Sequence, residues 1–155
     1  MTPILNTAEA IGEEIARRLA LCTQVAGAES NLGAKVYRGR RKVDDTMIPC
    51  VSLIEADDKP TQKGTGTSVE VAQHYVMFAY VPCDPSDPNT AAHAAIRDMK
   101  RAIFRTGGHA SATWDRAVVR VHYLGRDIGP RADGAAFVVA AIEVSVEFIE
   151  DLASP

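Results

Sequence analysis

Two segments of the chain carry apolar residues at alternate positions over fifteen residues each, from Ser68 to Pro82 and from Ala135 to Ile149. Alternation of this kind is typical of β-strands. At ~3.3 Å per residue each strand would extend about 50 Å, against ~20 Å for an ordinary strand. We therefore expect both strands either to bend or to project beyond the core.

The two faces of these long strands differ in polarity along their length. In the later strand one face is apolar throughout, and the other is apolar at Phe137 and Val139 and polar from Glu143 onwards. In the earlier strand the order is reversed, because the stretch from Val76 to Val81 is apolar on both faces and polar residues precede it. Antiparallel pairing brings the two doubly apolar halves together. The pattern predicts this pairing, directly or through a third strand, with helices covering one face and a neighbouring chain as candidate cover for the other.

Two amphipathic helices are predicted. The first follows Asn6 or Thr7 as the cap, with Glu9 placed for a capping box. Its apolar stripe contains Ala8, Ile11, Ile15, Leu19 and Cys22, and its solvated face contains Glu13, Glu14, Arg17 and Arg18. The second runs from Asp87 to about Arg105 and begins with Asp-Pro, a helix-start signal in which the aspartate accepts from an early backbone N–H. Its core stripe contains Ala92, Ile96, Met99 and Ile103.

Shorter strand patterns complete the chain. They are AKVYRG (34–39), IPCVSLIEA (48–56) and AVVRVHYLG (117–125). Pro49 confines the second of these to a ladder end or an edge, and the polar stretch Asp57–Ser68 is predicted to be a loop or hairpin tip. The predicted order is α-β-β-β-α-β-β. It indicates a single α+β domain over residues 1–155, with a mainly antiparallel sheet and two helices packed on it.

Composition narrows the class of protein. Hydrophobic residues make up 46% and charged residues 24%, as in a globular protein, and the net charge of -3 disfavours bulk binding to nucleic acid. Three cysteines without CxxC spacing are expected to be reduced and buried. The N-terminal residues lack a basic signal-peptide region, and no apolar run reaches the ~18 residues of a membrane span. We expect a protein made and assembled in a cytosol, without a membrane partner.

The stretch YVPCDPSDPNTAAH (80–93) raises the question of a metal site. A calcium loop starting at Asp84 would need glycine at its sixth position and glutamate at its twelfth, and both are missing. We therefore interpret the acidic stretch as a turn and a helix cap. The histidines show no i, i+4 pair, the serines no GxSxG elbow, and KGTGTS (63–68) leads into a strand and not a helix. The sequence predicts no catalytic residue, cofactor or metal, and hence a protein that is not an enzyme.

The densest positive charge is RGRRK, with Arg38, Arg40, Arg41 and Lys42. One interpretation is a solvated loop between two strands. The other is a docking patch for an acidic partner surface or for nucleic-acid phosphate, which Arg126 and Arg131 would extend if the loops share one end of the sheet. No aromatic residues interleave the run as single-strand stacking would require.

The order of elements resembles the tail terminator family of long-tailed bacteriophages, which includes the minor tail protein U of lambda-like phages. The likeness covers nearly the whole chain, from the N-terminal helix through IPCVSL, VEVAQHYVMFAYVP and NTAAHAAIRDMKRAIF to the closing strands VVRVHYLG and AAIEVSVEF. It rests on order, size and texture, because the family has no strict motif.

The resemblance implies a structural virion protein without cofactor. Such subunits form a ring, expected to be a hexamer, on the head-proximal end of the tail tube. The ring ends tube polymerisation and provides the head-joining surface. Expected partners are other copies, the tail tube protein and the head-tail connector, with DNA passing through the ring without sequence-specific binding. The implied interface candidates are the loop Asp57–Ser68, with Lys63, and the basic residues named above.

Two alternatives stay open at this point. One is another neck or tail-completion subunit of similar fold. The other is a small bacterial enzyme or ligand-binding domain with an α+β sandwich. A stable hexamer in solution favours the ring and a monomer the ligand-binding domain, although isolated tail terminators can be monomeric before assembly.

Overall fold

The computed structural model describes residues 7–61, 64–105, 118–130 and 133–154. Within them lie two α-helices and five strands, in the predicted order α-β-β-β-α-β-β. The elements are α1 (Thr7–Ala20), β1 (Val36–Arg38), β2 (Cys50–Pro60), β3 (Ser68–Pro82), α2 (Pro88–Phe104), β4 (Val118–Ile128) and β5 (Phe137–Asp151). The predicted α+β class is confirmed.

The five strands form one sheet in the order β1-β2-β3-β5-β4. Only β1 and β2 are parallel, and every other neighbouring pair is antiparallel. The long strands β3 and β5 pair directly, without a register shift, from Ser68 opposite Asp151 to Pro82 opposite Phe137. This confirms the predicted pairing, and no third strand lies between them.

Both helices pack on one face of the sheet, here called the helix face. The core there combines the α1 stripe of Ile11, Ile15 and Leu19 with alternate residues of the central strands. From β3 come Val71, Tyr75, Met77, Ala79 and Val81, and from β5 come Val138, Ala140, Ile142, Val144, Val146 and Phe148. Burying each large side chain contributes ~1.5–3 kcal/mol, so this layer accounts for most of the hydrophobic stabilisation. On this face one chain covers both long strands, apart from their tips.

The opposite face of the sheet, here called the open face, is only partly covered. In β2, Cys50 and Ser52 are fully buried and Ile54 is nearly so. Part of this cover is the connector between β1 and β2, residues 39–49, because the Ser52 hydroxyl donates to the Arg40 carbonyl oxygen at 2.5 Å. In β3, Val76, Phe78 and Tyr80 stay half-buried, and so does Val139 of β5. The doubly apolar half of the sheet is therefore buried on the helix face and partly exposed on the open face.

Two local predictions are wrong, and a third is not tested. β2 continues to Pro60, pairing Asp58 with Gln73, so the connection to β3 is shorter than the predicted loop Asp57–Ser68. The Asp87 carboxylate makes no bond to a backbone N–H and accepts instead from the Thr90 hydroxyl at 2.6 Å. Asn6, the other predicted cap, lies outside the described residues.

Arg18 also departs from the prediction, since it is 4% exposed and not part of a solvated face. Its guanidinium donates to Glu14 at 2.9 Å and to the carbonyl oxygens of Ala102 and Ile103 at 3.3 and 3.4 Å. Burial lowers the pKa of Arg18, and the Glu14 carboxylate opposes that shift. The residue thus holds the C-terminal turn of α2 against α1.

Candidate interaction surfaces

The basic connector, Arg40 to Lys42, is fixed at its base and charged at its surface. The Arg40 guanidinium lies 4.9 Å from the centre of the Tyr37 ring, a cation–π arrangement. Farther along, the Asp44 carboxylate accepts from the Thr46 backbone N–H at 2.9 Å and closes a turn. Arg40, Arg41 and Lys42 are all exposed. The connector therefore presents three cations beside the half-buried Tyr80 on the open face.

Arg38 does not belong to this group. It is opposite Leu53 in the register, which places its side chain on the helix face. There the guanidinium bonds Glu13 at 2.5 Å and also bonds the Glu55 carboxylate. Because both anions come from the same chain, Arg38 joins α1, β1 and β2 and adds little positive potential to the surface.

Arg126 lies in β4, at the opposite edge of the sheet. The register links Arg126 to Ile142, Met77, Leu53 and then Arg38, so these residues form one transverse row. Four strand spacings of ~4.8 Å separate the ends of that row by about 19 Å. Because Ile142, Met77 and Leu53 of this row belong to the helix-face core, Arg126 also lies on the helix-face side, at the far edge of the sheet, and does not extend the basic connector. Lys63 and Arg131, the remaining predicted interface cations, lie outside the described residues.

Beside β4 the open face forms a shallow recess of about 380 Å³. Its floor is apolar, from Val76, Phe78 and Ala141, and Leu124 and Arg126 border it from β4. The charged side chains at its rim include Glu143, which is exposed. An apolar floor with a charged border is the composition of a protein-contact surface.

The edge strand β4 contains two β-bulges. Its register against β5 shifts between Val118 and Arg120 and again between Tyr123 and Gly125, so Val119 and Leu124 have no residue directly opposite. Both are exposed, by 49% and 45%. The sequence carries a signal for both bulges, because VV and YL each place two apolar residues in succession within this strand.

The outer half of β2 is acidic. Glu55, Asp57 and Asp58 are exposed there, and the register against β3 shifts between Glu55 and Asp58. The Gln73 amide donates to the Ala56 carbonyl oxygen at 2.6 Å and satisfies one backbone group of this bulge. β1 pairs only with Val51 to Leu53, so within the described residues this half of β2 has a neighbouring strand on one side alone.

The acidic stretch after β3 forms a turn, as the sequence indicated. The Asp84 carboxylate accepts from the Ser86 backbone N–H at 2.9 Å and from the Ser86 hydroxyl at 2.8 Å. These bonds lower the pKa of Asp84. No cluster of three metal-ligating side chains occurs among the residues that the structure describes.

Asp98 of α2 was not recognised from the sequence and is 2% exposed. One carboxylate oxygen accepts from the Glu29 backbone N–H at 3.1 Å, and the other accepts from the Ser30 N–H at 2.7 Å and the Ser30 hydroxyl at 2.6 Å. Glu29 in turn bonds Arg97 and Arg101 of α2, each at 2.9 Å. These contacts fasten the segment after α1 to α2.

The three thiols are expected to differ in reactivity. Burial, with the Asp98 charge adding to it, raises the pKa of Cys22 to about 12, and burial also raises the pKa of Cys50. Because the thiolate is the reactive form, we predict that a thiol reagent at neutral pH labels half-buried Cys83 first. Peptide mapping of the folded protein checks this, with urea-unfolded protein as the control. Equal labelling of all three thiols in the folded state would contradict the burial.

None of the helices within the described ranges is long and apolar enough to cross a bilayer. In comparisons with known proteins, no family model and no curated protein matches this chain.

Proposed function

We propose that this protein is a structural subunit that caps the head-proximal end of a phage tail tube as a ring, ends tube polymerisation and provides the head-joining surface. The main support is the sheet itself. One chain covers its helix face but leaves Val76, Phe78 and Tyr80 half-buried on the open face, and its two edges differ in charge. The confirmed order of elements agrees with the resemblance to tail terminators.

A ring follows from unlike contact surfaces. When one surface of a subunit binds a different surface of the next copy, the contact is heterologous and closes into a ring if the rotation allows. On this proposal the ring is a hexamer located in the virion tail and assembled in the host cytoplasm. Its partners are the tail tube protein and the head-tail connector, and DNA passes through its centre without sequence-specific binding.

Electron microscopy of particles assembled without the protein tests this function. Overlong tails, or tails that fail to join heads, support a terminator, and adding back the wild-type subunit should restore normal particles. Another neck or tail-completion subunit would instead leave tail length normal while particles stay incomplete. Particles that are normal in every respect would overturn the proposal.

We propose that the basic connector, Arg40 to Lys42, contacts the head-tail connector protein or the tail tube protein. Reversing its charge with Arg40→Glu and Arg41→Glu should weaken head joining without unfolding the subunit, because both side chains are exposed and away from the helix-face core. Joined particles are counted by electron microscopy, and folding is followed by circular dichroism. The matched control is Lys59→Glu with Arg120→Glu, two exposed cations away from the basic connector, which changes the charge equally. Unimpaired joining in the Arg40 and Arg41 variant would show that the connector is only solvated surface.

A ligand-binding domain is the second candidate, because a recess of about 260 Å³ lies between the C-terminal ends of the helices. Apolar side chains, including Leu21, and several arginines line it, among them Arg17, Arg101 and Arg105. Such a lining would suit a small organic anion. A thermal-shift screen with organic carboxylates and phosphates tests this, and stabilisation that is lost in Arg105→Ala would favour a ligand-binding domain over a ring subunit.

A further inference from the structure

Two groups of exposed apolar side chains lie on different parts of the molecule, and the charges that border them are of opposite sign. Leu21 is 59% exposed and lines the recess between the C-terminal ends of the helices, here called the helix-end recess. Ile149 and Leu152 are 50% and 62% exposed and belong to residues 149–154, here called the β5 tip. Exposed apolar side chains with a charged border are typical of surfaces that contact another protein.

The helix-end recess has an excess of positive charge. Four arginines and a single carboxylate line it, namely Arg17, Arg18, Arg101, Arg105 and Asp98. Glu14 is shared between the first two arginines, and Glu29 is shared between Arg101 and Arg97. Five guanidinium groups therefore meet three carboxylates. Arg105 is exposed, and within the described residues it forms no salt bridge.

The remaining lining of the recess is apolar. It consists of Leu21, Ala26, Ala28 and Ala102, with Cys22 and Gly27. A volume of about 260 Å³ admits a branched aliphatic side chain. The buried Arg18 guanidinium already donates to the carbonyl oxygens of Ala102 and Ile103, so these groups at the end of α2 do not repel an acidic partner.

The β5 tip carries the opposite charge. Glu150 and Asp151 lie between the two exposed apolar residues in sequence. Glu70 of β3 is directly opposite Ile149, so the neighbouring strand adds a third carboxylate at this end of the sheet. An acidic surface and a basic surface that both expose apolar side chains are complementary to each other and not to themselves.

Hydrogen bonds hold the β5 tip in a defined turn. The Asp151 carboxylate accepts from the Thr67 hydroxyl at 2.7 Å and from the Ala153 N–H at 3.0 Å. The Leu152 N–H donates to the Thr67 carbonyl oxygen at 2.9 Å. The bond from the Thr67 hydroxyl, and then the bond from Ala153, lower the pKa of Asp151, so its charge is present at neutral pH. The turn therefore presents Leu152 and the acidic charge together.

A subunit cannot place its own β5 tip in its own recess. Phe104, at the end of α2, contacts Tyr123 edge-on, and Tyr123 is opposite Val144 of β5. From Val144 the strand continues for seven residues to Asp151 and stays paired with β3 throughout. At ~3.3 Å per residue this carries the tip ~23 Å along the sheet from the level at which α2 ends. The complementary occupant of the recess is therefore the tip of a second copy.

Resting on the ring proposed above, we infer that the β5 tip of one copy docks in the helix-end recess of the next copy. Leu152 enters the apolar part of the recess, Glu150 lies beside Arg105, and Asp151 faces the other arginines. The contact joins unlike surfaces, so it passes from copy to copy and closes into a ring where the rotation allows. Because each contact buries few apolar side chains, it is weak in solution, and the end of a tail tube can template it.

A charge exchange tests the contact. Variant one carries Glu150→Arg, variant two carries Arg105→Glu, and variant three carries both substitutions. Assembly is measured by native mass spectrometry over a concentration series and by counting subunits on isolated tail tubes. We expect variants one and two each to weaken assembly by about tenfold, because each places like charges together, and variant three to regain most of it because the charges are opposite again.

A second pair of variants tests the apolar part. Leu152→Asp should weaken assembly by at least as much, because it places a charge in the apolar part of the recess. The matched control is Val119→Asp, which alters an exposed apolar residue of β4 outside the tip and the recess and should assemble as the wild type does. Urea unfolding establishes that all variants are as stable as the wild type.

The outcomes separate this inference from the proposed function. Normal assembly of variant one, variant two or Leu152→Asp overturns the contact and leaves the terminator function intact, and so does a folded variant three that does not recover. Assembly that depends on these residues, together with normal particles in the absence of the protein, supports the contact and overturns the terminator function. A wild-type subunit that stays monomeric even on tail tubes overturns the contact.

Discussion

Replacing Asp98 with alanine is expected to lower the free energy of unfolding by about 3 kcal/mol, one of the largest single-residue effects in the chain. The carboxylate is buried and accepts three hydrogen bonds, from the backbone N–H groups of Glu29 and Ser30 and from the Ser30 hydroxyl. Ser30 is itself buried, at 8% exposure. Alanine would leave these donors without an acceptor in a place that water does not reach freely, and an unmade buried hydrogen bond costs more than a made one contributes.

Urea unfolding followed by circular dichroism measures this effect, with an unchanged slope on denaturant as evidence of an unchanged native fold. The matched control is Glu29→Gln. That substitution removes ion pairs with Arg97 and Arg101 at the surface, where such pairs contribute little. A loss in Asp98→Ala no larger than in the control would show that water or another group replaces the carboxylate.

The pairing of β3 with β5 could be predicted because the information is redundant. Along the chain β3 changes from half-polar to doubly apolar and β5 changes in the opposite sense, so only an antiparallel arrangement places like with like. A one-residue slip would turn a whole face from core to solvent. The observed register, with Phe78 opposite Ala141 and His74 opposite Ser145, satisfies this pattern along its length.

The buried polar contacts could not be predicted in the same way. Arg18 follows Ile11 by seven residues and Ile15 by three, so it lies at the border of the apolar stripe, and its charge alone suggested a solvated position. The partners that make burial possible, the carbonyl oxygens of Ala102 and Ile103, come from α2. Asp98 looks like one more charge on an amphipathic helix until the segment around Ser30 reaches it from 68 residues away. Contacts of this separation in sequence leave no local periodicity to detect.

In the basic run RGRRK, local structure separates arginines that are adjacent in sequence. Arg38 is the last residue of β1, so the alternation of a strand sends its side chain to the helix face and to the carboxylates of Glu13 and Glu55. Arg40 and Arg41 follow the strand end and Gly39, whose φ of 77° turns the chain. The cluster is visible in the sequence, but the strand boundary determines that Arg38 pairs within the chain while Arg40 and Arg41 are exposed.

Replacing Gly33 with alanine is expected to destabilise the fold by about 2 kcal/mol through overpacking. Gly33 is buried in the short helical turn Leu32–Ala34, which packs back on the end of α1, and its N–H donates to the Cys22 carbonyl oxygen at 2.9 Å. An added Cβ would lie 2.9 Å from the Cys22 nitrogen and closer still to the Leu19 carbonyl oxygen. Both are backbone atoms, so the turn itself would have to move and fully buried Leu32 would move with it.

Gly129→Ala is the matched control, since its φ lies outside the left-handed region and the nearest atom to an added Cβ is the Val139 Cβ at 3.4 Å. That spacing requires at most a small adjustment of one side chain, so the free energy of unfolding should change much less than in Gly33→Ala. The two variants are unfolded in urea in parallel. Both substitutions reduce the backbone entropy of the unfolded state equally, so the difference between their free energies of unfolding reports the steric conflict. Equal stability of the two variants would mean that the turn containing Gly33 can shift without loss of stability. The close approach of Gly33 to α1 would then not be what positions the segment that Asp98 binds.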